Sequence, residues 1–122
     1  MKSRQHIKSN TMKKLLLIFL LYTGIMNAQI VNIPDANFKA KLISSNFDIN
    51  GDGEIQVSEA ENATYMDVSQ SSITDMTGIE FFTSLTYLVC RGNQIITLNL
   101  SNSQNLQTLY CNYNQITYLN LS

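Results

Sequence analysis

The sequence predicts an α/β solenoid, in which a short N-terminal helical cap precedes repeats of about 21 residues that build a parallel β-sheet. The strongest observation is an internal repeat: residues 106–116 echo residues 85–95, so Cys111 stands in the place that Cys90 occupies 21 residues earlier. Self-similarity at a fixed period of this size is typical of stacked units that cannot bury their apolar faces alone. An apolar leader and an acidic segment before the repeats define the remaining elements.

The first segment of the chain has the features of a secretory signal peptide. Lys13 and Lys14 precede an apolar run over residues 15–26, and a small residue closes the segment. The run is shorter than the roughly 20 apolar residues that span a membrane. We therefore predict that residues 1–28 are removed on export, with Met12 as an alternative start. The mature chain would have no membrane span and would be secreted or held at the cell surface.

Charge is distributed unevenly along the chain. Five of the eight Lys and Arg residues precede residue 29, so the predicted mature chain has three cations against nine acids, a net charge of −6. This balance gives no electrostatic footprint for nucleic-acid binding. The sole histidine, His6, lies in the leader, so residues 29–122 offer no histidine base and no histidine ligand for zinc. The sequence therefore predicts a protein that is not an enzyme.

The acidic segment contains a complete metal-binding loop motif. Residues 48–59 read D-x-N-x-D-G-x5-E, which resembles the loops of EF-hand and dockerin-like proteins. Before the loop, apolar residues at helical spacing predict a helix that starts near Pro34. After it, Ser58 and Glu61 have the capping-box spacing of a short second helix. The resemblance implies a helix–calcium loop–helix cap over residues 29–66.

The resemblance assigns six loop positions as Ca²⁺ ligands. Side-chain oxygens come from the first, third and fifth positions, a backbone carbonyl from the seventh, a water-mediated contact from the ninth and a bidentate carboxylate from the twelfth. In order, these positions are Asp48, Asn50, Asp52, Glu54, Gln56 and Glu59. Because the sequence contains one such loop, the expected cofactor is a structural Ca²⁺ rather than a signalling ion. The alternative is an ordinary polar turn that binds no ion.

Repeat units fill residues 63–122, beginning with one degenerate unit. The two regular units that follow share the pattern L-x-x-L-x-C-x-x-N-x-I. This pattern resembles the leucine-rich repeat of secreted, internalin-like bacterial proteins, with cysteine in one leucine position. The resemblance implies a parallel sheet with the repeated apolar residues turned inward. These residues are Leu85, Leu88, Cys90 and Ile95 in one unit and Leu106, Leu109, Cys111 and Ile116 in the next.

Alternation along each strand turns the intervening residues outward. In leucine-rich repeat proteins this exposed sheet is the usual partner-binding surface, and Tyr and Arg are enriched at binding hot spots. The candidate partner-binding residues for a protein or surface-glycan ligand are Tyr87, Val89, Arg91, Tyr110 and Tyr113. The alternative is that these residues are merely β-formers on a solvated face.

Two repeated polar positions have a structural interpretation. The resemblance implies that Asn93 and Asn114 bond to the backbone of the turns between repeats, because buried turns would otherwise leave amides and carbonyls unpaired. Cys90 and Cys111 should lie side by side on neighbouring strands with parallel Cβ directions, which suits a disulfide poorly. We expect them to be buried thiols that act as small apolar residues.

The functional prediction is non-catalytic recognition or adhesion outside the cell, with Ca²⁺ stabilising the N-terminal cap. One alternative is the N-terminal adhesion or targeting module of a larger secreted enzyme. The other is a purely structural, calcium-stabilised cap of a longer solenoid. The chain ends at Ser122 without a closing cap, so we expect a truncated solenoid.

Overall fold

The computed structural model describes residues 29–122. The predicted signal peptide lies outside the described residues. Between residues 29 and 122, no helix combines the length and the apolar character needed to cross a membrane. This part of the chain forms two helices, one strand, a single 3₁₀ turn and then four further strands.

The first helix is the one that the apolar spacing predicts. α1, Ala36–Ser44, begins at its N-cap Asp35, whose Oδ1 accepts hydrogen bonds from the N–H groups of Asn37 and Phe38, both at 2.9 Å. Such a cap satisfies amides that have no partner within the helix. Phe38 and Leu42, four residues apart on one face, are buried and fix α1 against the core.

The second helix starts earlier than the predicted capping box. α2 spans Val57–Asn62, and its N-cap is Gln56 rather than Ser58. The Oε2 atom of Glu59 accepts a hydrogen bond from the N–H of Gln56 at 2.9 Å. The pairing of Ser58 with Glu61 is therefore wrong. Both spacings exist in the sequence. The chain uses the spacing that ends at Glu59, whose side chain is only 8% exposed, whereas Ser58 and Glu61 lie at the surface.

A parallel sheet of three strands forms the main surface of the repeats. In spatial order its strands are β1 (Tyr65–Asp67), β2 (Tyr87–Val89) and β4 (Thr108–Tyr110). Leu88 lies level with Met66 on one side and with Leu109 on the other. The central residue of every strand points inward and the flanking residues point outward, as the predicted repeat requires.

A second parallel sheet, of two strands, forms from the segments that follow β2 and β4 in the chain. No pattern in the sequence predicts it. It pairs β3, Thr97–Asn99, with β5, Tyr118–Asn120, and Leu98 lies level with Leu119. Three residues of alternation are too few for periodicity to identify a strand. The strands form because stacked repeats bring equivalent segments together.

The cap and the repeats share one hydrophobic core. The rings of Phe47, just before the acidic loop, and Phe82, in the repeats, meet edge to face at 6.0 Å. Ile55 at the end of the loop is fully buried, and its carbonyl accepts a hydrogen bond from the N–H of Val31 at 2.8 Å. The loop is therefore anchored to the core on both sides, by the partly buried Phe47 before it and the fully buried Ile55 at its end.

The residues predicted to point inward all contact this core, but they are buried to different extents. The first regular unit is sealed, and its residues Leu85, Leu88, Cys90 and Ile95 are 0% exposed. The second unit packs against the core while remaining partly exposed, through Leu106, Leu109, Cys111 and Ile116. The inward direction is confirmed for both units.

The prediction for the repeated asparagines is also confirmed. Asn93 is 5% exposed, and its Oδ1 accepts hydrogen bonds from the N–H groups of Ser71 at 2.9 Å and Ile73 at 3.1 Å. Its Nδ2 donates to the carbonyls of Val68 at 3.0 Å and Cys90 at 2.9 Å. One side chain thus satisfies backbone groups of two successive turns.

Candidate functional site

Three tyrosines form a continuous row on the exposed side of the first sheet. The rings of Tyr65 and Tyr87 stack at 5.2 Å with 24° between their planes. The rings of Tyr87 and Tyr110 meet at 5.9 Å in a tilted arrangement. The register pairs Tyr65 directly with Tyr87, whereas Tyr110 lies diagonally across from it. We call this outward surface of β1, β2 and β4, with its three tyrosines, the tyrosine face.

The candidate partner-binding residues do not all reach solvent. Tyr110 is 47% exposed and Tyr113 is 81% exposed, Arg91 is also exposed, and Tyr87 is half-buried within the row. Val89, which alternation predicts to be exposed, is only 7% exposed. It lies on the middle strand and has a neighbour on each side, so adjacent side chains of the sheet shield it.

Tyr113 lies beside the tyrosine face in an unfavourable backbone conformation. Its φ is +58°, a left-handed value. The equivalent turn positions are Gly92 one unit earlier, with φ +70°, and Gln70 in the degenerate unit, with φ +50°. Residues other than glycine seldom adopt this region, because the Cβ atom then crowds the backbone.

A small set of charges lies beside the tyrosines. Asp67 accepts hydrogen bonds on Oδ1 from the hydroxyl of Ser69 at 2.7 Å and from its N–H at 3.0 Å. These bonds hold the pKa of Asp67 below its ordinary value of 3.8, against the effect of burial, and the nearby charges of Lys41 and Arg91 act in the same direction. Asp67 is therefore ionised at neutral pH, and both nearby cations favour its charged form.

An open cleft lies where the helical cap meets the first repeat. Its volume is about 410 Å³. The lining combines side chains from α1, from the segment after it and from β1 and the turn that follows, namely Lys41, Ser45, Phe47, Tyr65, Asp67 and Ser69. We call it the junction cleft. Tyr65 and Asp67 belong to both surfaces, so the junction cleft continues the tyrosine face toward the cap.

Sequence reasoning missed two residues of this surface. Tyr65 precedes Tyr87 by 22 residues, the offset of the degenerate unit, and that spacing could have identified it. Lys41 lies on α1, outside the repeats, and no periodicity connects it to the sheet. Its place beside Asp67 depends on how the cap packs against the first strand.

The acidic loop is ordered by hydrogen bonds from its backbone to its own carboxylates. Asp48 accepts at Oδ1 from the N–H of Gly51 at 2.9 Å, and at Oδ2 from the N–H of Gly53 at 2.9 Å. Asp52 accepts from the N–H of Glu54 at 2.9 Å, and this bond is the main reason that the pKa of Asp52 lies below its ordinary value of 3.8. Gly53 has φ +83°, which lets the chain turn sharply at this point.

The twelfth loop residue closes the loop onto α2. Glu59 Oε1 accepts from the N–H groups of Ile49 at 2.8 Å and Asn50 at 3.1 Å, while its Oε2 caps α2. Asn50 donates from Nδ2 to the Oε1 of Gln56 at 3.2 Å, so these two side chains meet across the loop. The side chains of all the predicted ligand residues except Glu54 are thus joined by hydrogen bonds within the loop. Glu54, which is predicted to bind through its backbone carbonyl, pairs its carboxylate with Lys39 at 2.6 Å.

The loop lacks a compact cluster of anionic ligands. Among residues 29–122, no group of three or more His, Cys, Asp or Glu side chains is arranged to hold a metal ion. The motif, however, also uses oxygens from an Asn side chain, a backbone carbonyl and a water held by Gln, and Ca²⁺ accepts all of these. The donor chemistry of the loop therefore suits Ca²⁺ and does not suit a transition metal that prefers nitrogen or sulfur.

The two cysteines are free thiols at successive levels of the core. Cys90 is buried and Cys111 is half-buried. Burial raises the pKa of the Cys90 thiol to about 12, with a smaller contribution from the neighbouring Cys111. A thiol with so high a pKa is neither a nucleophile nor a metal ligand at neutral pH. These side chains belong to the packing of the repeats.

No protein-family model matches the chain. Over 68 residues the chain is 41% identical to internalin J of Listeria monocytogenes serotype 4b, and the match covers 56% of this chain and 7% of that protein. The chain therefore spans a small fraction of the length of this curated relative.

Solved structures with a similar fold include two from Listeria monocytogenes. The functional domain of internalin J, described as including a cysteine ladder, has a TM-score of 0.61 and 38% identity, and the match covers 74% of this chain and 23% of that chain. The internalin InlF has a TM-score of 0.58 and 25% identity, with 71% of this chain and 29% of that chain covered. A Clostridium perfringens ZmpB structure that contains CBM51-2 with GlcNAc and INT domains has a TM-score of 0.54 and 27% identity, with 67% and 17% covered.

Proposed function

Because the described chain is an internalin-like leucine-rich repeat solenoid, we propose that it is a bacterial surface or secreted protein that recognises another protein, without catalysis, through the tyrosine face. The observation that carries this proposal is the tyrosine row itself. Tyr65, Tyr87 and Tyr110 form one line on the outward side of the sheet instead of packing into the core.

The tyrosine row favours binding because its side chains are already ordered. Tyrosine offers a large contact area with few rotatable bonds, and ring stacking holds each side chain in place before a partner arrives. Binding then costs less side-chain entropy than it would on a flexible surface. Tyr65 and Tyr110 are 56% and 47% exposed, so both retain area that a partner can bury.

Site-specific photo-cross-linking tests this proposal. A photoreactive phenylalanine derivative replaces Tyr110 on the tyrosine face or, as the matched control, Gln115, which is exposed in the turn beyond β4. Each exported protein is irradiated where it acts, and adducts are identified by mass spectrometry. We expect a discrete protein adduct from position 110 and none from position 115.

A variant of Tyr87 provides the second part of the test. Tyr87→Ala should abolish the adduct formed from position 110, because it removes the ring between Tyr65 and Tyr110. Thermal melting establishes that this variant is folded. Equal adducts from positions 110 and 115, or an adduct that survives loss of Tyr87 in a folded protein, would contradict recognition by the tyrosine face.

We further propose that the loop over residues 48–59 holds one structural Ca²⁺, through Asp48, Asn50, Asp52, the carbonyl of Glu54, Gln56 and Glu59. The support is twofold. The motif is complete, and the hydrogen bonds described above curl the loop so that Asn50 and Gln56 meet across it. Asp48 Oδ2, Asp52 Oδ1 and Glu59 Oε2 each accept one hydrogen bond, so each keeps a lone pair for a cation. Glu59 Oε1 accepts two, so bidentate binding by Glu59 requires the loop to release one of these bonds.

Calcium should act on stability. A ligand that binds only the folded state stabilises it by RT ln(1 + [L]/Kd), about 2.7 kcal/mol at a hundred times Kd. Extracellular sites of this type have Kd values of about 10⁻⁴–10⁻³ M. We therefore expect the melting temperature to rise with millimolar Ca²⁺ and to fall on addition of chelator, and titration calorimetry to show one site.

Glu59→Gln separates the calcium role from the helix-capping role. Glutamine can still cap α2 with its one acceptor oxygen, at the loss of the bonds from Ile49 and Asn50, and it offers no bidentate carboxylate to Ca²⁺. The variant should fold and lose most of the Ca²⁺-dependent rise in melting temperature. Glu61→Gln, which removes the same charge outside the loop, is the matched control. If chelator leaves melting unchanged and calorimetry records no heat, the loop is a polar turn.

A further inference from the structure

The cations of the described chain are arranged unevenly around the tyrosine face. Residues 29–122 contain three cations, Lys39, Lys41 and Arg91. Lys39 forms a salt bridge with Glu54 at 2.6 Å. The other two form no salt bridge within the described residues. Lys41 lines the junction cleft together with Asp67, and Arg91 follows Val89, the register partner of Asp67, by two residues. The two cations that are not engaged in an ion pair therefore lie on one surface.

The acids are placed elsewhere. Asp67 is the single acid among the nine residues of β1, β2 and β4. Asp75 and Glu80 line a separate cleft with Thr97 and Asn99, and the acids of the cap belong to the loop and the helices. A chain with a net charge of −6 after residue 28 thus has a local excess of one positive charge at Lys41, Asp67 and Arg91.

The tyrosines supply further donors on the same surface. The rings of Tyr65 and Tyr87 stack at 5.2 Å and 24°, so the face that each ring turns toward the other is covered. Partial burial, with a further contribution from Tyr110, raises the pKa of Tyr87 above its ordinary value of 10.0. The hydroxyl is therefore protonated at neutral pH and can donate a hydrogen bond.

Hydroxyl and cationic donors together match carboxylates. Charge-assisted hydrogen bonds from Arg and Lys to a carboxylate are among the stronger polar contacts that proteins make. A neutral sugar that stacked on the tyrosine rings would leave both cations without an anionic partner, whereas carboxylates pair with both. These observations favour a protein segment with acidic side chains over a glycan as the occupant.

We propose that the tyrosine face and the adjoining junction cleft bind an acidic segment of a partner protein. Carboxylates of that segment pair with Lys41 and Arg91 and accept hydrogen bonds from the tyrosine hydroxyls. The proposal rests on the proposed recognition function and adds the chemistry of the partner. Opposite charges on the two surfaces would also accelerate association and make it sensitive to salt.

A labelled peptide of eight glutamates tests the proposal directly. Binding to the exported chain is followed by fluorescence anisotropy, with a peptide of eight glutamines as the neutral comparison. We expect the glutamate peptide alone to bind, with affinity that falls at least tenfold between low and high salt. Lys41→Gln and Arg91→Gln should each weaken binding about tenfold, in proteins whose melting temperature is unchanged.

Lys39→Gln is the matched control, because it removes the same charge from the same helix but from the residue already paired with Glu54. It should change peptide affinity less than twofold. If all three variants lose the same peptide affinity, binding depends only on the overall charge of the protein, and the proposal is overturned. Tighter binding of a sulfated octasaccharide that competes for the same two cations would identify an anionic glycan as the occupant instead.

The two proposals fail in different ways. If Tyr87→Ala abolishes the cross-linked partner while Lys41→Gln and Arg91→Gln leave both that adduct and the peptide affinity intact, recognition by the tyrosine face stands and the acidic partner is excluded. If neither set of variants affects the adduct, the face is not a recognition surface and both proposals are wrong.

Discussion

At the residue scale, Asn93 shows why one polar side chain recurs in every regular repeat. The turn after each strand is buried, and its amides and carbonyls point toward the interior, where no water competes for them. Asn93 supplies one acceptor atom and one donor atom, and each is used more than once. In the degenerate unit Ser71 stands at the equivalent position and bonds only locally, from its hydroxyl to the carbonyl of Ser69 at 2.9 Å.

Replacing the two asparagines should therefore have unequal effects. Asn93→Ala leaves several buried backbone groups without partners, at about 1–3 kcal/mol for each group that water cannot reach, so we expect a loss of at least about 3 kcal/mol. Asn114 is half-buried, and its Oδ1 accepts one hydrogen bond, from the N–H of Ile95 at 3.1 Å. Asn114→Ala should lower the free energy of unfolding by about half as much. Chemical denaturation of both variants measures the two losses. Equal losses would contradict this account.

Tyr113 illustrates a residue whose backbone conformation opposes its side chain. The preceding unit has Gly92 at this turn, and both residues have positive φ. A non-glycine residue in the left-handed region costs roughly 1–2 kcal/mol, so replacing it with glycine stabilises the folded chain by that amount. The greater flexibility of glycine in the unfolded chain cancels part of this gain. Tyr113→Gly should therefore raise the free energy of unfolding by roughly 0.5–1 kcal/mol. A folded variant that is less stable would show that the exposed ring makes contacts that matter for stability.

At the scale of the elements, Asp35 fastens the helical cap to the repeats. One carboxylate oxygen caps α1, and the other, Oδ2, accepts from the N–H and hydroxyl of Thr74 at 2.9 and 3.0 Å and from the N–H of Asp75 at 3.1 Å. A single side chain thus terminates a helix and holds a segment of the degenerate unit 39 residues further along the chain.

Substitution of Asp35 should separate these two tasks. Asparagine has one acceptor oxygen, so Asp35→Asn can keep the helix cap or the link to Thr74, but not both. We expect Asp35→Ala to cost roughly 2 kcal/mol or more, since a lost N-cap alone is worth about 1 kcal/mol, and Asp35→Asn to cost about half of that amount. Hydrogen exchange at the amides of Thr74 and Asp75 measures the link directly, and unchanged exchange in the alanine variant would exclude it.

The same carboxylate should make stability depend on pH. Burial alone would raise the pKa of Asp35, but hydrogen bonds from Phe38, Thr74 and Asp75 outweigh it, so the pKa lies below its ordinary value of 3.8. A group whose pKa is lower in the folded state stabilises the fold above its unfolded pKa. That contribution should be lost as pH falls below 3.8 and through the folded pKa. The difference in melting temperature between the native protein and Asp35→Ala should shrink over this range.

At the scale of the whole molecule, burial decreases along the stack of repeats. Leu88 is 0% exposed, whereas Leu109, in the same position one unit later, is only partly buried. The same change separates Leu98, at 1% exposed, from Leu119, at 41%. A repeat is sealed by its neighbours on both sides, and β4 and β5 each have one neighbouring strand within the described residues. β3 also pairs with one strand, but the degenerate unit lies on its other side, where Met76 is buried beside Thr97 and Asn99.

Core truncations should reproduce this gradient. Leu88→Ala removes a fully buried side chain and should cost about 2–5 kcal/mol, the usual range for such a change in a core. Leu109→Ala should cost less, because solvent already reaches part of that side chain. Thr108→Ala, on the outward face of the same strand, is the control and should change stability by less than about 0.5 kcal/mol. Equal losses at positions 88 and 109 in denaturant unfolding would contradict the gradient.

Features that depend on repetition and local spacing could be predicted from the residues alone. The repeat of Leu88 and Leu109 predicts the parallel sheet and its inward face, because period-two alternation and solenoid stacking follow from chain geometry. The spacing of Phe38 and Leu42 predicts α1 for the same kind of local reason. The Ca²⁺ ligands and the partner-binding role remain predictions that rest on the same patterns.

Only the tertiary structure decided what depends on distant parts of the chain. It paired β3 with β5, chose Gln56 as the cap of α2, shielded Val89, and placed Lys41 beside Asp67 at the end of the tyrosine row. None of these outcomes has a periodic signal. Each depends on which side chains packing brings together, and packing between a helix and a strand is set by the shape and burial of the whole core rather than by spacing along the sequence.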